Sequence, residues 1–100
     1  MTWTREQALQ AARKHLLTKY QLGDDAVIFL DSFTRERPYG WVFFYESRRF
    51  VETGDIMHAF GGNGPLVADA ERERIFEVGT ANGVEAELSK TEWREGLMVR

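Results

Sequence analysis

One hundred residues, 43% of them hydrophobic, suffice for one compact domain and leave no room for a second. The absence of cysteine excludes disulfides, thiolate metal sites and a cysteine nucleophile together, and suits a reducing compartment. Thirteen basic against sixteen acidic residues give a net charge of −3, the wrong sign for a generic phosphate binder, so nucleic acid is not an expected partner.

The opening MTWTREQALQ turns polar and helical at once. It lacks a basic segment followed by an apolar one, so no secretory leader is expected. No uncharged apolar run approaches the roughly 20 residues that a membrane span needs. The expectation is a cytoplasmic chain with no membrane partner.

Thr4 with Gln7 three residues on reads as a capping box, and Trp3 stands where a hydrophobic staple would fold onto Ala8. Leu9, Ala12, Leu16 and Tyr20 recur at helical spacing, which predicts a helix from about Arg5 to Lys19 with one buried face. His15 lies beside that stripe, a boundary histidine without the partner at i+4 that a helical zinc pair requires. Gly23 follows closely enough to help end the helix.

AVIFL (26–30) reads as a short strand, DSFTRERPYG (31–40) as a connection, and WVFFYES (41–47) as a second strand. On a pleat, Trp41, Phe43 and Tyr45 point one way while Val42 and Phe44 point the other. Both faces are apolar, so the strand is either central and covered on both sides or has one face against a partner. A loop or a second copy of the chain, forming a homodimer, would cover that second face equally well.

Residues 47–65 are long for a connection in so small a domain, and loops of this length are usually functional or carry a short helix. DIMHAF supplies one helical turn with Asp55 as its cap. PLVAD (65–69) and RIFEV (74–78) then read as a hairpin, and VEAELSKTEWRE (84–95) as a helix. That helix has Val84, Leu88 and Trp93 at loose helical spacing, an Asn82–Glu85 cap pattern and Gly96 as its stop. The expected fold class is α+β: a four-stranded, mainly antiparallel sheet with the N- and C-terminal helices packed on one face.

Glu52, Asp55 and His58 are the strongest catalytic constellation, because a carboxylate can orient a histidine base. No serine or cysteine nucleophile stands nearby in a motif, and capped turns often show the Asp55 to His58 spacing. One histidine and two carboxylates are a thin ligand set, so no metal or cofactor is expected. GGNGP (61–65) resembles a phosphate loop only until its proline, because neither a lysine nor a helix start follows; close approach of backbone to the sheet accounts for its glycines. Arg48 and Arg49, with Arg35 and Arg37, make a basic spot beside aromatics, yet the signature of sheet-based RNA binders is missing. Glu46, Glu52 and Asp55 stand close enough in sequence to pair with Arg48 and Arg49. Composition and periodicity reach a small α+β domain, not an enzyme, and name no function.

The stretch YGWVFFYESRRFVETGDIMHAFGGNGPLVAD (39–69) resembles the bacterial immunity protein 35 family, also called YrhB-like. The residues that carry the likeness are Trp41 to Tyr45, Ser47 to Arg49, Phe50, Glu52 to Asp55, Gly62 to Pro65, and Leu66 to Asp69. The capped opening helix and FEVGTANGVEAEL fit more loosely. His58 stands where the family commonly carries a small or hydrophobic residue, and the tail KTEWREGLMVR matches no family pattern.

The resemblance implies an immunity protein of a polymorphic toxin system, encoded beside the toxin that it binds and neutralises, without catalysis or cofactor. It brings no defined binding residues. Interface centres favour aromatics and arginine, which points to Tyr45, Arg48, Arg49 and Phe50, with Glu52, Asp55 and His58 as polar neighbours. Two other functions stay open on the residues: a chaperone-like protein without a dedicated toxin, and a small hydrolase or lyase using Asp55 and His58.

Overall fold

The computed structural model describes residues 2–23, 25–58 and 64–98; the side chain of His58 lies outside what is described. Helix α1, Arg5–Lys19, starts as expected. Gln7 N–H donates to the Thr4 hydroxyl at 3.2 Å, and Gln7 Oε1 accepts from Thr4 N–H at 2.9 Å. Its stop is not Gly23. The chain turns at Gln21, which takes a left-handed φ of 54°, and Leu22 N–H returns to the Leu17 carbonyl.

Among the described residues six strands follow where four were expected: β1 Val27–Phe29, β2 Arg35–Arg37, β3 Gly40–Phe43, β4 Tyr45–Ser47, β5 Leu66–Asp69 and β6 Arg74–Glu77. The antiparallel order β2-β3-β5-β6 makes the four-stranded sheet, and β1 with β4 makes a separate antiparallel pair. The run 41–47 is thus two strands divided at Phe44, the first half pairing with β2 and β5 and the second with β1. The segment 31–40, expected as a connection, holds a 3-10 turn, Asp31–Phe33, and the edge strand β2. Its charged sequence hid the strand, because an edge strand with little buried area has no need of apolar alternation.

The α+β class and the antiparallel four-stranded sheet are as the sequence indicates, but the helices do not share a face. Ala8, Ala12 and Leu16 of α1 pack on Phe43, Leu66 and Ala68, with Trp41, Tyr45 and Ile75 around them. Leu88 of helix α3, Val84–Arg94, packs with Val42, Val67, Tyr39 and Val78 on the opposite face, joined by Leu97 from the tail. The physical reason is the double-sided apolarity of β3 and β5: alternate residues on each strand serve different cores. Each face of β3 is therefore covered within the chain.

Helix α3 also differs in detail. Gly83 is its cap residue, and Asn82 instead donates from Nδ2 to Glu87 at 2.8 Å. The face turned to the sheet carries Glu87, Leu88, Thr91 and Glu92, while Trp93 points outward and is 79% exposed. Gly96 ends the helix as expected, with φ of 71°; Gly96 N–H bonds the Trp93 carbonyl and Leu97 N–H the Glu92 carbonyl. Gly64 fits the close-approach expectation, since a Cβ there would lie 2.0 Å from the Val78 carbonyl oxygen. Residues 61–63 of the same motif lie outside the described residues.

Candidate functional site

The sequence places most candidate residues between Tyr45 and His58, and the structure gives this stretch a shape of its own. Strand β4 ends at Ser47, buried opposite Val27, and the Ser47 hydroxyl accepts from Phe50 N–H at 3.4 Å to start a short helix. That helix, α2, spans Arg48–Thr53 where a loop was expected. Its first residue is tied to the neighbouring turn: Arg48 N–H donates to the Ala26 carbonyl at 2.9 Å and Arg48 Nε to the Asp25 carbonyl.

Gly54 closes α2 in a left-handed conformation, φ 72°, with its N–H on the Phe50 carbonyl at 2.7 Å. An L side chain rarely adopts that conformation, which is what the glycine of the ETGD motif supplies. The Thr53 hydroxyl donates to the Arg49 carbonyl at 2.7 Å and accepts from Asp55 N–H at 3.1 Å. Asp55 Oδ1 then accepts from Met57 N–H at 2.9 Å, so Asp55 caps the 3-10 turn Ile56–His58, as DIMHAF led us to expect. Three successive side chain to backbone bonds hold the bend, and none of them needs a partner molecule.

Arg48, Arg49, Phe50 and Glu52 come together on α2, with Asp55 on the bend beyond it. Arg49, Glu52 and Asp55 are exposed, while Arg48 and Phe50 are half-buried. Of the ion pairs expected for Arg48 and Arg49 with Glu46, Glu52 and Asp55, those with Glu52 and Asp55 do not form; Arg48 spends its Nε on a backbone carbonyl instead. A shallow depression beside α2 is lined by Asp25, Ala26, Ser47, Arg48, Arg49 and Glu52. Tyr45 stands apart from this group, half-buried on the α1 side with its ring 6.0 Å from that of Phe29. Burial, with the nearby Glu77 charge, pushes its phenol up to about 12. His58 ends the 3-10 turn, so the Glu52, Asp55 and His58 constellation lies partly outside the described residues. Among the described residues no three histidine or acidic side chains gather as a metal site would require.

Residue-type reasoning missed the apolar part of this region. Val51, Ile56 and Met57 are 49%, 78% and 84% exposed. The signal available in sequence was an Ile–Met pair directly after a Gly–Asp turn, outside any helical or alternating pattern that would bury it.

Two other polar clusters belong to the scaffold. Glu77 of β6 accepts from Tyr20 at 2.7 Å, contacts His15 Nε2 at 2.9 Å and takes the Lys19 ammonium, fastening α1 to the sheet edge. Burial alone would raise the Glu77 carboxyl, but these hydrogen bonds outweigh it and hold the group at about 2. Glu92 of α3 accepts a two-pronged bond from Arg37, at 2.8 and 3.1 Å, and the Tyr39 hydroxyl at 2.6 Å. Burial, and then the bond to Glu92, pushes the Tyr39 phenol well above its ordinary range.

A family model described as Immunity protein 35 matches residues 6–96, from the first turn of α1 to the stop of α3. The chain belongs to the immunity protein 35 family. It is also 40% identical, over 53 residues, to the uncharacterized protein YrhB of Escherichia coli strain K12. That match covers 53% of this chain and 56% of the relative, so the chain spans about half the length of the curated relative it matches. No solved structure matches the chain. The family match takes in all of α2 and the bend after it, and so places the segment 48–58 within the family's domain. No helix among the described residues is long and apolar enough to cross a membrane.

Proposed function

We propose that this chain is an immunity protein that neutralises a cognate bacterial toxin by direct protein–protein binding, without catalysis and without a cofactor. The observation that carries the reading is the family match across residues 6–96. The binding surface in this reading is α2 and the bend after it: Arg49, Glu52 and Asp55 in solvent, Arg48 and Phe50 half-buried, and His58 at the end of the turn, with Tyr45 apart from them on the α1 side. Arginine and aromatic side chains are the residue types that dominate interface centres. The bend is ordered by its own hydrogen bonds, so little conformational entropy would be lost on docking.

The test is co-purification with the protein encoded beside this chain's gene, carrying an inactivating substitution, together with survival of cells that express the active form. Complex formation and survival are expected, and both should be lost when Arg48, Arg49 and Asp55 are reversed in charge together. Survival that persists in the triple variant would refute the surface assignment. Absence of any complex would refute the function. A chaperone-like role draws on the same exposed aliphatic side chains, but it would protect aggregating proteins regardless of the neighbouring gene.

A further inference from the structure

The exposed apolar residues sharpen the proposed surface. Tyr20, Phe33 and Trp93 are spread over three separate elements, and singly exposed apolar residues are ordinary on protein surfaces. Val51 on α2 and Ile56 and Met57 on the bend after it instead fall within seven residues, and the latter two are about four-fifths exposed. The bend is not loosely placed. Gly54 sets its direction, Thr53 and Asp55 tie its backbone, and Asp55 orients the turn that carries Ile56 and Met57. Local hydrogen bonding therefore presents two aliphatic side chains to water, where each forfeits the stabilisation that burial would give.

We infer that Ile56 and Met57, flanked by Val51, form a convex apolar knob that inserts into an apolar cleft of the toxin, with Arg49 meeting an acidic side chain on the rim of that cleft. This rests on the immunity reading given above. The small size of the patch, three side chains, selects the occupant. Two copies meeting knob to knob would bury on the order of a few hundred Å², well under the roughly 1,200 Å² of a stable interface. A concave partner surrounds the knob and recruits the neighbouring surface of α2, and enzyme sites are concave. Methionine suits such a contact, because its unbranched thioether adapts to an irregular cleft. The guanidinium of Arg49 is exposed and has no ion pair among the described residues, so its charge is open to an acidic partner group.

The experiment compares the wild-type chain with Ile56→Ser/Met57→Ser in binding the inactivated protein encoded by the adjacent gene, by calorimetry or surface resonance. The double variant is expected to bind on the order of 100-fold more weakly, mainly through faster dissociation, with an unchanged melting temperature and circular dichroism. Equal binding by the two proteins would overturn the knob and leave the immunity function standing. Failure of the wild type to bind would overturn both. Sedimentation of the free chains, and mixing with anionic phospholipid vesicles, identify the other occupants. A dimer, or vesicle binding, that the double variant abolishes would show the knob covered by a second copy or by lipid, and would overturn the inference.

Discussion

The sheet with its two long helices and the bend at 48–58 treat polarity in opposite ways. In the body, Glu92 goes inside and is satisfied: it is 5% exposed and receives three hydrogen bonds from Arg37 and Tyr39. On the bend, aliphatic side chains go outside, and the charged groups beside them make few bonds of their own. A buried carboxylate is tolerated only when its partners are in place, so the body's polar contacts fasten elements together. An exposed aliphatic side chain adds nothing to the fold. The contrast separates residues kept for the fold from residues available to a partner.

The largest expected effect breaks the body. Phe43 is 1% exposed and meets Phe29 edge to face at 6.2 Å, at the centre of the core under α1. Phe43→Ala should cost about 3–5 kcal/mol by chemical denaturation, from lost transfer energy and the cavity left behind. Next is Glu92→Ala, which strands Arg37 and the Tyr39 hydroxyl and should cost about 2–3 kcal/mol. The arginine is partly solvated, which keeps the figure below that of a fully buried pair.

The Glu77 clasp gives a pH signature. Its carboxyl titrates lower when folded than its ordinary value of 4.5, at about 2. A lowered folded-state value stabilises above the ordinary value, and that contribution is lost as pH falls from 4.5 toward 2. Melting temperatures between pH 7 and pH 2.5 should therefore fall less steeply for Glu77→Gln than for the wild type, starting from a lower value at pH 7. The smallest stability effect should come from the bend. Ile56→Ser/Met57→Ser is expected to lie within about 0.5 kcal/mol of wild type. Arg49→Glu should be as mild for stability, while, in the immunity reading proposed above, slowing association with the partner and reversing its salt dependence.

The elements that obey a simple period were legible in sequence. The capping box at Thr4, the apolar line of α1, the opposite pointing of Phe43 and Val42, and the stop at Gly96 all follow from local rules and recur in the structure. What escaped was set by tertiary context. Strand β2 carries only Arg, Glu and Arg, because its place at the sheet edge requires no apolar alternation. Glu87 and Glu92 face the sheet where apolar residues were expected, since Asn82, Arg37 and Tyr39 arrive from elsewhere in the chain to satisfy them. In the segment 48–58, residue type singled out Arg49, Glu52 and Asp55, which the structure leaves exposed, and passed over the exposed Ile56 and Met57, because aliphatic residues are presumed interior until a structure shows them outside.

The most direct test is survival of bacteria expressing the active protein encoded beside this chain's gene, with either wild-type chain or the Ile56→Ser/Met57→Ser variant supplied at equal, verified soluble levels. If the bend is a partner surface built on an independent scaffold, the wild type protects and the variant, equally folded, does not. Equal protection by the two chains would contradict that division of labour.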